Sequence, residues 1–357
     1  MTKVLSLPQS PSAQRTSASS LNNCACGMLS SRVVIASLSV VERRSGPQPR
    51  SAARRGCCDD DLMTSRLPFY FVDVFATRPL TGNPLSLVPD ADGLDEARMR
   101  AIAREFNQSE TTFLVRPSLP GATVRLRSFT PAGVEVGGAG HNALGAWLWL
   151  ETAGRVASDS GLRQEITGQV LPVEVVRAAG QPAMVWMDQS PPRFGAVAGD
   201  RAGLAACLGL GERDLAPDED ARVASTGAAH LLVPARDRGA VDRAAPDPAR
   251  LKSALRQASA EGCYLYSRDP VDAAGAVAYA RFFNPTVGIA EDPATGTAAG
   301  PLAARLVAEG RIPDESTVII EQGYALGRPS RIAVSVSQQR VRVGGSGLVV
   351  AEGALIG

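Results

Sequence analysis

The chain has 357 residues, 45% of them hydrophobic, and 37 basic against 36 acidic side chains give it a formal net charge of +1. That apolar content suits one large or two compact domains and argues against wholesale disorder. With no basic stripe, neither nucleic acid nor an anionic membrane surface is expected as a partner.

Residues 1–58 stand apart in composition. They are rich in Ser, Arg and Ala, with Glu42 the single acid. The apolar run at 32–41 (RVVIASLSVV) is too short to span a bilayer and sits awkwardly far in for a secretory signal, while an Arg-rich, acid-poor leader also suits a transit peptide. Met63 stands just before RLPFYFVDVF, where a folded pattern begins, so 1–66 reads as a disordered extension or a misassigned start. The six cysteines make no framework. Cys24, Cys26, Cys57 and Cys58 lie in this leader, and with two histidines in the chain no zinc spacing exists, so no metal is expected and a reducing cytoplasm is the simplest location.

From 69 to 75 (FYFVDVF) the aromatic and Val content predicts a strand, followed by a turn over 78–84 and a short strand at 85–88. Residues 95–106 (DEARMRAIAREF) carry apolar side chains at helical spacing. Asn107, Gln108 and Ser109 end that helix, and 111–115 and 123–129 read as strands. The almost unbroken apolar run over 141–153 predicts a buried helix.

The segment from Arg127 (RSFTPAGVEVGGAGHNALGAWLWLETAGRV) returns from Arg281 as RFFNPTVGIAEDPATGTAAGPLAARLVAEGRI. Strand, Phe-x-Pro, glycine-rich turn, buried helix and terminal Gly-Arg recur in order, and Gly140 and Gly154 match Gly296 and Gly310. Upstream, 112–115 and 263–266 take comparable places. A duplication implies two halves about a pseudo-two-fold axis, expected at 67–188 and 189–357, with the C-terminal strand able to complete the first. Each glycine turn opens a helix, whose free N–H groups and positive end favour an anion. A small carboxylated substrate is therefore expected.

Three side chains could carry chemistry. Glu110 sits where a helix gives way to a strand, His141 follows Gly140 at the first helix entrance, and Asp292 precedes the second helix. Singly, these are a surface acid, a satisfied core histidine and a helix cap. Jointly they mean more, because His141 and Asp292 are read as occupying matching sites of the repeat, which a symmetric cleft would bring together. Gly138-x-Gly140-x-x-Ala143 is a weak match to a dinucleotide fingerprint; its place after antiparallel-looking strands and its second copy downstream argue against a nicotinamide enzyme.

Phe71-Val72-Asp73-Val74-Phe75, Gly82-Asn83-Pro84-Leu85, the segment 107–111, Gly140-His141, the segment 291–297, and Gly323 with Gly327-Arg328-Pro329-Ser330 resemble the PhzF-like proteins in order and spacing, from about residue 68 to the end. The resemblance implies an α+β, diaminopimelate epimerase-like fold, with two pseudo-symmetric domains that each curl a β-sheet around a central helix. It further implies isomerisation of trans-2,3-dihydro-3-hydroxyanthranilate without metal or organic cofactor. Glu110 would shuttle the proton, assisted by His141 and Asp292, while Asn83, Gly140, Gly296 and Thr297 would line the pocket. A homodimer follows by the same analogy.

Racemases and epimerases of this fold carry a cysteine at each glycine turn, where this chain has Ala139 and Thr295, so two-thiol chemistry is not expected. Asn142 stands where the phenazine enzymes have proline, and Thr297 where they have serine. Other readings are a PhzF-like epimerase or lyase acting on another small acid, and a non-catalytic ligand-binding relative.

Overall fold

The central helix of each half is apolar on every side and is enclosed by its own sheet. A computed structural model describes residues 66–156 and 161–356; the leader read from 1–66 lies outside them, except for Arg66. In chain order the first half holds β1 (Arg66–Val74), β2 (Asn83–Val88), α1 (Glu96–Phe106), β3 (Thr111–Val115), β4 (Val124–Phe129), β5 (Glu135–Val136), α2 (His141–Thr152), β6 (Arg163–Ile166) and β7 (Gln169–Pro172). Next come β8 (Glu174–Val176), β9 (Met184–Asp188), β10 (Arg193–Val197), α3 (Arg201–Cys207), β11 (Arg222–Ser225), β12 (Ala229–Pro234), α4 (Arg238–Arg243) and α5 (Pro248–Gln257). The chain ends with β13 (Gly262–Ser267), β14 (Ala278–Asn284), β15 (Ile289–Asp292), α6 (Gly296–Ala308), β16 (Ser316–Gln322), β17 (Ser330–Ser337), β18 (Arg340–Gly345) and β19 (Gly347–Ile356).

An eight-stranded sheet runs β19-β1-β2-β3-β4-β6-β7 with β5 beside β4, and an eleven-stranded sheet runs β10-β11-β12-β13-β14-β16-β17-β18-β9-β8 with β15 beside β14. The two repeat one series of pairings. β1 to β2 is antiparallel, β2 to β3 parallel, β3 to β4 antiparallel, β4 to β6 parallel and β6 to β7 antiparallel. From β11 to β17 the same order recurs. The chain passes between sheets after Pro172, ahead of the boundary expected at 188, because β8 and β9 pair into the second sheet beside β18. Gly344 lets Trp186 lie across that joint, since a Cβ there would come within 2.4 Å of the indole. At the other end β19 returns to pair with β1.

Register corrects one expectation. Val136 lies opposite Ser128, and Asp292 opposite Phe282, so Asp292 is the counterpart of Val136. With Gly140 matching Gly296, the counterpart of His141 is Thr297. His141 and Asp292 do not occupy matching sites: Asp292 closes a strand upstream of its glycine, and His141 opens a helix downstream of its own.

In α2 every side chain from His141 to Leu150 is buried, and in α6 Gly296 and each residue from Ala298 to Leu306 are buried. Helices apolar all round belong inside a fold. By contrast, α1 buries one stripe of Met99, Ile102 and Ala103. No helix among the described residues is long and apolar enough to cross a membrane.

Candidate active site

Helix capping separates the central helices from the peripheral ones. Asp95, Asp200, Asp237 and Asp247 accept backbone N–H groups at the starts of α1, α3, α4 and α5. Neither Gly140 at the start of α2 nor Thr295 at the start of α6 supplies a side-chain cap. Orphan N–H groups therefore remain at both central entrances, where the partial positive charge of each helix is greatest.

Glu110 reaches the first entrance through a tight reversal. Asn107 ends α1 in the left-handed region at φ 51°, a conformation asparagine tolerates, and the chain turns into β3 through Ser109 and Glu110. Ser109 Oγ lies 3.2 Å from His141 Nε2, and Glu110 Oε2 lies 3.9 Å from His141 Nδ1. Burial depresses His141 to about 4, so the ring is neutral near pH 7 and the approach to Glu110 is not an ion pair. Glu110 Oε2 is itself buried without a protein hydrogen-bond partner. Burial, and then the charge of Asp292, push Glu110 up to about 8.

On the other side Asp292 ends β15, held at both oxygens. Oδ1 accepts Asn83 Nδ2 at 2.9 Å and Oδ2 accepts the Thr295 hydroxyl. Burial still pushes Asp292 up to about 6, against the downward pull of those two bonds. Gln322, fully buried, braces the turn: Nε2 donates to the Asp292 carbonyl and to Thr295 Oγ1, while Oε1 accepts Thr295 N–H and the Tyr264 hydroxyl. The structure thus brings Glu110 beside His141, within electrostatic reach of Asp292, and ties Asn83 to Asp292.

The two glycines expected to line the pocket divide in role. Gly140 N–H donates to Asn142 Oδ1 at 2.7 Å, while Asn142 Nδ2 donates to Ser128 Oγ and the Gly138 carbonyl. Where the resemblance leads one to expect proline, this chain thus pins its glycine turn with an amide. At Gly296 a Cβ would lie 3.0 Å from Val343 Cγ1 and 3.6 Å from Phe75, so a side chain would crowd the second entrance. Thr297 is half-buried, and its Oγ1 lies 3.1 Å from His230 Nε2. Sequence reasoning does not mark His230, Thr295, Gln322 or Tyr264 as site residues. For His230 the available signal is its place at the start of a buried strand (AHLLVP), where a polar ring needs a partner.

The duplication does not repeat the Glu110 carboxyl. Glu110 immediately precedes Thr111, which is opposite Phe129, and Gly262 immediately precedes Cys263, which is opposite Phe283. Gly262 is therefore the counterpart of Glu110, and a Cβ there would meet the Phe282 ring at 2.4 Å. Where the first half places small Ser128, the second places Phe282, which fills the space an acid would need.

Both halves are stitched beside the site. Arg328 donates to the Gly82 and Thr81 carbonyls and pairs at 2.6 Å with buried Asp73, which also accepts Leu80 N–H. Gly82 takes φ 70°, and a Cβ would strike the Val74 carbonyl oxygen at 2.2 Å, so glycine is required there. Among the described residues no cluster of three or more His, Cys, Asp or Glu is placed to hold a metal.

The phenazine biosynthesis-like protein family, PhzC-PhzF, matches residues 72–353. A trans-2,3-dihydro-3-hydroxyanthranilate isomerase from Pseudomonas fluorescens is 33% identical over 293 residues, 81% of this chain and 99% of that protein. The crystal structure of a phenazine biosynthesis protein of the PhzF family from Bacillus anthracis superposes with a TM-score of 0.76 at 28% identity, covering 82% of this chain and 99% of that one. A probable proline racemase from Agrobacterium radiobacter, 12% identical over 81% of this chain and 92% of its own, has a TM-score of 0.54 and shares the fold alone.

Proposed function

The chain belongs to the phenazine biosynthesis-like PhzC-PhzF family, and on that premise we propose that it isomerises trans-2,3-dihydro-3-hydroxyanthranilate by a cofactor-independent proton shift between carbons. The observation that carries the reading is Glu110, a partly exposed side chain with its Oε2 buried beside His141 and without a protein hydrogen-bond partner, whose pKa is raised to about 8. A group that must take a proton from carbon and return it to another works best with such a pKa.

In this mechanism the substrate carboxylate lies at the uncapped entrances of α2 and α6, among Gly140, Gly296 and Thr297. Ionised Glu110 removes a proton from a ring carbon. The electron pair of that C–H bond moves through the adjoining double bonds, and Glu110 returns the proton at another carbon, so nothing is oxidised or lost. Negative charge that develops on the substrate faces the open N–H groups. Neutral His141, anchored by Ser109, stands 3.9 Å from Glu110 and bounds one side of its carboxyl. Asp292, fixed by Asn83 and Thr295, sustains the raised proton affinity of Glu110 and engages the substrate's amino group.

The absence of thiols at Ala139 and Thr295 weighs against the two-thiol epimerase route; Cys207 and Cys263 are the cysteines of the described residues, and neither belongs to the site. A binding protein would have no need to bury an acid in this state. The proposal includes a homodimer, by analogy with the PhzF-like proteins, in a reducing cytoplasm that suits the free Cys207 and Cys263. Balanced charge supports a small-molecule partner rather than nucleic acid or membrane. Conversion of trans-2,3-dihydro-3-hydroxyanthranilate by the full chain, followed by absorbance and proton NMR, tests the reading. An unchanged substrate would refute it for that acid.

A further inference from the structure

We propose that His230 is a positioning residue that fixes the direction of the Thr297 hydroxyl, so that this hydroxyl donates to a carboxylate or carbonyl oxygen of the substrate at the entrance of α6. The inference rests on the reading of Thr297 as a substrate-binding residue and adds a partner that controls it.

His230 stands at the second position of β12, 2% exposed, with Phe282 packed edge-on at 5.1 Å between ring centroids. Its Nε2 lies 3.1 Å from Thr297 Oγ1, while its Nδ1 is buried with no protein partner. A neutral imidazole carries one proton, on one nitrogen or the other. Were it on Nδ1, a buried N–H would go unpaired, the less tolerated of the two defects. On Nε2 the same proton is satisfied by Thr297 and the unpartnered atom is merely an acceptor. Burial, which holds His230 at about 4, keeps the ring from taking a second proton near pH 7.

The consequence falls on Thr297. A hydroxyl oxygen that accepts from His230 still owns its proton, and no other hydrogen bond of the Thr297 side chain occurs among the described residues. Its donor is thereby turned away from the protein and toward the cleft, beside the open N–H groups of α6. The first half holds a parallel arrangement, in which His141, the counterpart of Thr297, meets Ser109 at 3.2 Å. Both histidines of the chain thus pair with a hydroxyl at a central helix entrance.

The test joins a spectroscopic and a binding measurement on the full chain. Long-range 15N–1H correlation at pH 7, with the two histidines assigned from single variants, reads the tautomer of His230 directly; the proton is expected on Nε2. Dissociation constants for 3-hydroxyanthranilate, the aromatic analogue of the substrate, are then measured for His230→Leu, Thr297→Val and the double variant. Each single change should weaken binding about tenfold and the double change also about tenfold, with His230→Gln, which keeps a donor near the Nε2 position, recovering most of the loss. A proton on Nδ1, losses that multiply to about a hundredfold, or no loss from His230→Leu would overturn the assignment. If His230→Leu does not fold, the wild-type tautomer and His230→Gln still decide. Failure of the wild type to turn over or bind these acids would count against the isomerase reading for them, and the tautomer would then uphold or overturn the His230 assignment by itself.

Discussion

Asn83 and Asp292 lie 209 positions apart, yet the Asn83 amide donates to Asp292 Oδ1 at 2.9 Å and to the Ala294 carbonyl at the same distance. One end of this bond opens β2 in the first sheet, and the other closes β15 in the second. Asn83→Leu keeps the branched shape and removes both donors, leaving a buried carboxylate oxygen and a carbonyl with less compensation. The expected result is a loss of about 1–3 kcal/mol in unfolding free energy by urea denaturation. A fall of at least tenfold in kcat/KM should accompany it, since Asp292 loses its orientation. Unchanged stability together with unchanged turnover would show that the bond matters to neither.

Glu110 should be a stability liability at alkaline pH. Its folded pKa is raised from 4.5 to about 8, so the folded state binds the proton more tightly than the unfolded state does. The sign follows: the Glu110 contribution is fully present below pH 4.5 and is lost as pH rises toward 8. Glu110→Gln cannot ionise and should therefore gain stability over the wild type across that window, by on the order of a few kcal/mol above pH 8. Denaturant titrations of both proteins at pH 5 and pH 9 measure the difference, and a gap that does not widen with pH contradicts it.

Asp292 contributes to that shift as the second cause after burial. Asp292→Asn removes the nearby negative charge, so the Glu110 pKa should fall while staying above 4.5 because burial persists. Titration of the Glu110 side-chain carboxyl by 13C NMR in both proteins reads this directly. A pKa that stays put or rises on substitution would mean that the two carboxyls do not share a field.

Arg328 and Asp73 form the other joint between the halves. The Asp73 side chain is 2% exposed against 25% for Arg328, so removing the cation strands a buried carboxylate. Arg328→Met should cost about 3–5 kcal/mol in thermal or denaturant unfolding, and a further Asp73→Asn change should restore part of it by removing the uncompensated charge. Equal stability of all three proteins would show that the pair is not a structural tie.

Local order is legible where one rule dominates. The helix predicted at 95–106 forms from Glu96 behind an Asp95 cap and stops at Asn107, and the strand predicted at 111–115 is β3. The second strand begins earlier than its apolar run, at Asn83, because Pro84 needs no N–H where it faces Asp73. Pairings over long separations leave little local trace: the duplication allows the C-terminal strand to return to the first half, where β19 lies on β1, but nothing near 184–188 tells that β9 joins β18. At the candidate site, Glu110, His141, Asp292 and Asn83 are expected through motif resemblance, and the fold brings them near one another. Gln322, Tyr264 and Thr295 support Asp292 through bonds that need the folded chain to be seen, and the equivalence expected between His141 and Asp292 gives way to strand register.

The most direct test of the central claim is turnover of trans-2,3-dihydro-3-hydroxyanthranilate by the wild type and by Glu110→Gln, with circular dichroism verifying that both are folded. The account predicts isomerised product from the wild type and a kcat lower by about 10³ in the variant, the scale of a lost general acid and base. Equal turnover by the two proteins would contradict it and remove Glu110 from the proton shift.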